Sequence, residues 1–423
     1  MYQQIFNTLV YFFSSHPGDT AMKNSDCLAS SIAVMKYTGV WMPDDLTHGR
    51  RMAYMVFRCV TQTVLFFFII LAEIAYVYKH RHDSERMVDA AVLLLSHLVQ
   101  AVKLMTIIVR QERIKRLIAL GDGKVPYNNS CLSLWFVLRK RPTFSWTYRR
   151  LVLLLSCPAF THTEPKLKAQ LERAVKLTGL IGNLVLWSAG VTAIFWFVVP
   201  ALKDVLTLPL KITFPFDISG QYIFAVMYAY TSLSVVTCGV GDAAENFLVS
   251  GALTLASTQV GLLHEQLLDI KDDGKQGMVS LGIKGVQYVE EIAKIFSFPI
   301  FCQCVTTSIV VCMTVYKITI TKEPVEMVTM IFYLMCVMME LMMFCYPADV
   351  LLNKSLQVSD AAYPEWSGNI KTARVLLLTA LRAQRALVVN AGGMFKISLP
   401  TAAAVVQTSY TYYALLQQKL KKE

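Results

Sequence analysis

Apolar side chains run almost unbroken through seven stretches of this chain, residues 52–78, 87–109, 177–200, 218–241, 295–316, 325–346 and 397–416. Each reaches the roughly 20 residues that an α-helix needs to cross the hydrocarbon core of a bilayer. An eighth apolar run, residues 247–263, follows the fourth with only Asp242 and Glu245 between, and ends in a mixed segment, residues 264–270. That continuity predicts one long fourth helix that leaves the bilayer and packs against protein. The seventh stretch differs from the others, because it closes on Gln407-Thr408-Ser409-Tyr410-Thr411-Tyr412-Tyr413 and so carries a polar stripe, with Lys419, Lys421 and Lys422 behind it. A helix facing lipid has no use for such a stripe, whereas one lining a watery conduit does.

Composition agrees with a membrane chain. With 55% apolar and 16% charged residues over 423 positions, no soluble core of ordinary composition could hide the hydrophobic surface. Most of the ten cysteines, among them Cys238, Cys302, Cys304, Cys312, Cys336 and Cys345, sit inside apolar runs with no metal-ligand spacing. They read as small hydrophobes, with neither a metal site nor a disulfide framework expected. Residues 1–15 lack a basic leader and a small-residue cleavage site, so no removable signal peptide is expected.

Charge orients the spans, since short cytoplasmic loops collect Lys and Arg. Of the 40 basic residues, 28 fall in residues 1–51, 110–176, 242–294 and 347–396, and 10 fall on the opposite side. The amino terminus is therefore expected in the cytoplasm and the carboxyl terminus outside. This asymmetry accounts for the net charge of +11 without a nucleic-acid partner. The sequons Asn128-Asn129-Ser130 and Asn353-Lys354-Ser355 fall on the cytoplasmic side and should carry no glycan. A cytoplasmic amino terminus and a long link between helices two and three are the reverse of the G-protein-coupled arrangement. The aspartate-arginine-tyrosine and asparagine-proline motifs of those receptors are missing as well.

Five short motifs follow one another near the end: Phe344-Cys345-Tyr346 with Asp349, Ser359-Asp360-Ala361-Ala362-Tyr363-Pro364-Glu365-Trp366, Arg382-Ala383-Gln384-Arg385, Ala391-Gly392-Gly393-Met394-Phe395, and Thr408-Ser409-Tyr410. In that order they resemble the insect odorant receptors. Leu208-Pro209-Leu210 and Phe214-Pro215-Phe216-Asp217 resemble that family's second outer loop. Two positions depart from the family pattern, Ala386 where a proline is frequent and Pro347-Ala348 where a glycine is common. The resemblance implies an all-α membrane fold of seven helices with its amino terminus in the cytoplasm. It also implies an odorant-specific subunit of a ligand-gated, nonselective cation channel, joined to a shared co-receptor subunit as a heterotetramer in the plasma membrane of sensory neurons, with no cofactor. The organisation expected is a cytoplasmic segment, residues 1–51; six helices with the odorant pocket, 52–346; a cytoplasmic anchor built with extensions of helices four to seven, 347–392; and a pore helix with its tail, 393–423.

In such a channel the seventh helices of four subunits would line the pore for permeant cations. Gln407, Thr411, Leu415 and Gln418 share one helical face here, so amides and hydroxyls could replace part of an ion's hydration shell while Leu415 closes the path by dewetting. The alternative is that these groups bond neighbouring helices. Gly392 and Gly393 suit a hinge between an amphipathic anchor helix, residues 369–390, and the pore helix.

The resemblance places the pocket for a small volatile ligand in the outer half of the bundle, among helices two, three, four and six. An apolar ligand calls for an aromatic and aliphatic cavity, and the residues expected there are Leu93, His97, Trp187, Val191, Phe195, Tyr222, Tyr228, Met330 and Tyr333. Arg58, Glu73, Asp89, Lys103, Glu340 and Lys396 lie in or beside apolar runs; those near helix ends can snorkel, and Glu340 sits deeper. No internal repeat of the kind transporters carry is evident. No enzyme is expected: His264-Glu265 opens like a zinc-protease helix, but Leu268 stands where the second histidine belongs.

Overall fold

The structure is a computed structural model. It describes residues 24–44, 46–122, 165–201, 208–218, 220–268, 277–321, 323–361, 377, 380–381 and 383–420. The sequon at Asn128 and most of the anchor positions, residues 372–376, 379 and 382, lie outside the described residues.

A short helix, α1 (Ala29–Tyr37), is preceded by a single 3-10 turn, Asn24–Leu28. Six long helices follow: α2 (His48–Lys79, interrupted by one π turn at Thr63–Phe67), α3 (Ser84–Gly121), α4 (Pro165–Ala201), α5 (Gln221–Leu268), α6 (Gly277–Ile320) and α7 (Pro324–Ala361). All six are long and apolar enough to cross a membrane. A two-stranded hairpin, β1 (Asn390–Ala391) and β2 (Phe395–Lys396), leads into α8 (Leu399–Leu420). Thus α2 to α8 are the seven expected spans. At 22 residues α8 is long enough to cross, but its polar stripe keeps it out of the set that qualifies on apolarity.

At 1.5 Å per residue, the 48 residues of α5 extend roughly 72 Å, more than twice a bilayer's hydrocarbon thickness. The run 247–263 is therefore the continuation of α5, as expected, and protein covers it. Phe247, Leu248, Leu253 and Ala256 are all at or below 2% exposed, and the same core holds Tyr288, Ile292 and Phe296 of α6 with Leu341, Phe344 and Leu351 of α7. The main core thus sits where α5, α6 and α7 extend together. Its packing is close: Phe247 lies over Gly182 of α4, and Leu28 over Gly251. Ser31 ties α1 to α5 by donating to the Ala244 carbonyl at 2.5 Å, and the Ser25 amide and hydroxyl both donate to Asp122 at 2.8 and 2.7 Å. Buried beside them, Cys27 behaves as a packing residue: burial first and the nearby Asp26 second push its thiol up to about 12.

The region before α8 departs from expectation. A helix through residue 390 would leave no room for a hairpin, and the chain instead turns at Gln384–Arg385, runs without helix over 386–389 and pairs Asn390 with Lys396. Gly392 and Gly393 cause this. Both have positive φ (57° and 73°), the signature of a type I′ turn, and the Met394 amide closes it on the Ala391 carbonyl at 3.0 Å. The hairpin is then fastened to α6, with the Gly392 amide donating to the Ser297 carbonyl (3.0 Å) and the Ser297 hydroxyl donating to the Asn390 carbonyl (2.6 Å). Pro299 lies two residues on in α6 and has no amide to offer the Ile295 carbonyl, which accepts from Arg110 of α3 at 2.9 Å instead. The first turn of α8 contains Pro400, and Asp349 of α7 accepts from its Leu399 amide at 3.2 Å.

Candidate functional site

A cavity of ≈ 180 Å³ lies between α3, α4, α5, α6 and α7. Each helix presents a stripe at three- or four-residue spacing: Leu93, His97, Gln100 and Lys103 on α3; Ser188 and Thr192 on α4; Val235, Gly239, Asp242 and Asn246 on α5; Gln303 and Thr307 on α6; Tyr333, Val337 and Glu340 on α7. Of the residues expected to line an odorant pocket, Leu93, His97 and Tyr333 are brought together here.

The others are not. Trp187, Val191 and Phe195 are 46%, 39% and 50% exposed, and Tyr222 is 90% exposed. Tyr228 and Met330 are part-buried and line none of the cavity. On α4 the inward ridge is the small one, Ser188, Ala189, Thr192 and Ala193, because small side chains let helices approach closely, and the bulky apolar ridge beside it faces outward. Phe195 belongs to a second cavity of ≈ 310 Å³ with Phe332 and Val328, the two phenyl rings 5.7 Å apart. Thr192 borders both cavities, with its hydroxyl 3.5 Å from the Cys336 sulfur.

The polar residues of the first cavity are mostly committed to one another. Ser96 and Tyr333 share a 2.7 Å hydrogen bond across the α3–α7 contact. The membrane histidine has an acidic partner: His97 Nδ1 lies 2.9 Å from Glu73 of α2, which is itself 1% exposed. Gln100 donates to the Cys238 carbonyl at 2.7 Å. Lys103, only 6% exposed, does not snorkel: its ammonium pairs with Asp242 and donates to Asn246 Oδ1 at 2.9 Å, while Asn246 Nδ2 donates to Asp242 at 2.9 Å. Glu340 accepts from Gln303 Nε2 at 3.0 Å. The signal for these residues was present in the sequence as polar positions recurring every three or four residues through apolar runs, a pattern that marks an inward helix face.

On α8 the positions expected to line a pore, Gln407, Thr411, Leu415 and Gln418, are all uncovered by the rest of the chain. The opposite face packs on α6 and α7, with Ala402 fully buried and the Ser409 hydroxyl 3.3 Å from that of Ser308. Gly392 and Gly393, expected as a hinge, are the turn of the fastened hairpin described above.

The sequence profile of the 7tm odorant receptor family matches residues 127–410, well over half of the chain. The chain belongs to that family. It is a family of receptors rather than enzymes. Among relatives, odorant receptor 67c of Drosophila melanogaster is 25% identical over 49% of this chain and 54% of its own length. Odorant receptor Or1 of Anopheles gambiae is 19% identical over 95% of this chain and 97% of its own length. The chain spans about half the length of several further curated relatives that it matches, 54% for the Drosophila receptor 85d and 57% for Or2 of Anopheles gambiae. The fold matches that of the olfactory receptor OR5 from Machilis hrabei in complex with eugenol, with a TM-score of 0.70 and 13% identity over 93% of this chain and 98% of that one.

Proposed function

We propose that the chain is the odorant-specific subunit of a heteromeric, ligand-gated, nonselective cation channel in the plasma membrane of sensory neurons, with its amino terminus in the cytoplasm and a co-receptor subunit as partner. The observation that carries this reading is α8. Its Gln407–Thr411–Leu415–Gln418 face is polar around a single leucine, stays uncovered within one chain, and belongs to a helix docked by its other face on α6 and α7. A polar helical face in a membrane needs water or another subunit against it. The cavity between α3 and α7 is the site for a small volatile ligand, and Leu93, His97 and Tyr333 are its share of the residues the sequence nominated. Helices α6 and α7 border the cavity and carry α8, so a ligand that prefers one of their arrangements shifts the pore with it.

Recording from cells that express the chain with and without a co-receptor tests this. Odorant-evoked cation currents should require both subunits and no G-protein cascade, and Leu415→Ala should raise the current measured without ligand. Currents abolished by blocking G proteins would support a G-protein-coupled protein instead, and substrate uptake without current a transporter.

A further inference from the structure

The cavity is long, and its polarity is divided along its length. Leu93 and Lys103 of α3 are ten residues apart, roughly 15 Å along a helix. Tyr333 and Met343 of α7 mark the same interval, and Val235 and Asn246 of α5 one residue more. One end is formed by Leu93, Leu210, Val235 and Val310, and the polar groups near it are already spent on each other, Ser96 on Tyr333 and His97 on Glu73. The other end holds Lys103, Asp242, Gln303 and Glu340.

At that polar end, the donors are already taken up. The Lys103 ammonium is committed to Asp242 and Asn246, and the Gln303 amide nitrogen to Glu340. What remains is Gln303 Oε1, a buried carbonyl oxygen with no hydrogen-bond partner, on a residue only 6% exposed, next to Asp242, which holds the Lys103 ammonium, and Glu340, which accepts from the Gln303 amide nitrogen. A buried acceptor left without a donor is costly, and a ketone, ester or ether cannot satisfy it.

Taking the cavity as the ligand site proposed above, we propose that it selects a small amphiphile with a hydrogen-bond-donating head. The simplest case is an aliphatic alcohol, its hydroxyl seated at Gln303 and Glu340 and its chain directed toward Leu93, Leu210 and Val235. The donor head fills the vacancy at Gln303 Oε1, and the apolar body lies where no polar group is open to it.

The test compares 1-octanol with its isomer methyl heptyl ether, which has the same atoms and no donor. With the chain and a co-receptor in one cell, the alcohol should be about tenfold more potent than the ether. Gln303→Leu should bring that ratio close to one by weakening the alcohol alone. Val235→Phe should shorten the best alcohol while keeping the preference for alcohol over ether. Equal potencies in the unaltered chain, or a ratio that Gln303→Leu leaves unchanged, would overturn the proposal. If Gln303→Leu does not reach the surface, the ratio in the unaltered chain decides alone. The channel reading fails separately: purified full-length chain stabilised against heat by 1-octanol and not by the ether, with no current in any cell, would remove the channel and keep this ligand class. Purified chain stabilised equally by both would overturn it.

Discussion

Replacing Lys103 by methionine keeps most of the unbranched side chain and deletes the charge on which the buried cluster depends. The ammonium touches Asp242 and Asn246, and its field also reaches Glu245 and Glu340. Glu245 is 1% exposed and both of its carboxylate oxygens lack a hydrogen-bond partner, so this corner is already short of compensation. Removing one partner of a buried ion pair costs about 3–5 kcal/mol, because the remaining charge is left in a medium that solvates it poorly. At 1.4 kcal/mol per factor of ten, that is a fall of roughly two to three and a half decades in the folded-to-unfolded ratio. The assay is the fraction of chain that stays monodisperse in detergent after heating, together with surface labelling in cells. Lys103→Met should melt far below the unaltered chain, and Lys103→Met with Asp242→Asn should recover part of the loss, since the second change removes the stranded carboxylate. A single variant that melts like the unaltered chain, or a double variant worse than the single, would refute an ion pair that matters to folding.

Two glycines give further tests. A Cβ on Gly182 would lie 2.3 Å from two ring carbons of Phe247, which is 1% exposed and has nowhere to swing, so Gly182→Ala should cost about 1–3 kcal/mol, with Gly190→Ala, where nothing lies within 4 Å, as the harmless control in the same melting assay. Gly392→Ala meets Phe301 at 2.9 Å and a φ of +57°, whereas Gly393→Ala meets open space at +73°, so the first should destabilise more than the second, whose cost is only the left-handed backbone, about 1–2 kcal/mol.

The long elements were legible because lipid and a protein core both demand apolar side chains, and the runs announced themselves. The continuation of α5 could be read from the two acidic residues alone that separate its halves. The hairpin could not: Gly392-Gly393 marks a break whether the chain bends or doubles back, and the deciding contacts come from Ser297, some ninety residues away. The cavity was legible as a region and only partly by residue. Aromatic residues expected as pocket walls lie on the outward ridge of α4, while the polar stripe of His97, Gln100 and Lys103 on α3 was in plain view. Partners such as Glu73 for His97 depend on how α2 and α3 are rotated against each other, which no local pattern records.

The fastening of the α8 root has a mechanical consequence. Its root is held by the Ser297 contacts to the hairpin and by Asp349 at Leu399, while Leu415 stands sixteen residues further along, roughly 24 Å away. Because its inner face is also docked on α6 and α7, as far along as Ser409 against Ser308, α8 tilts with them: a tilt of about 5° about the root carries the far end through about 2 Å. Displacements too small to break a hydrogen bond at the root are therefore enough to shift Leu415 and Gln418 against whatever faces them.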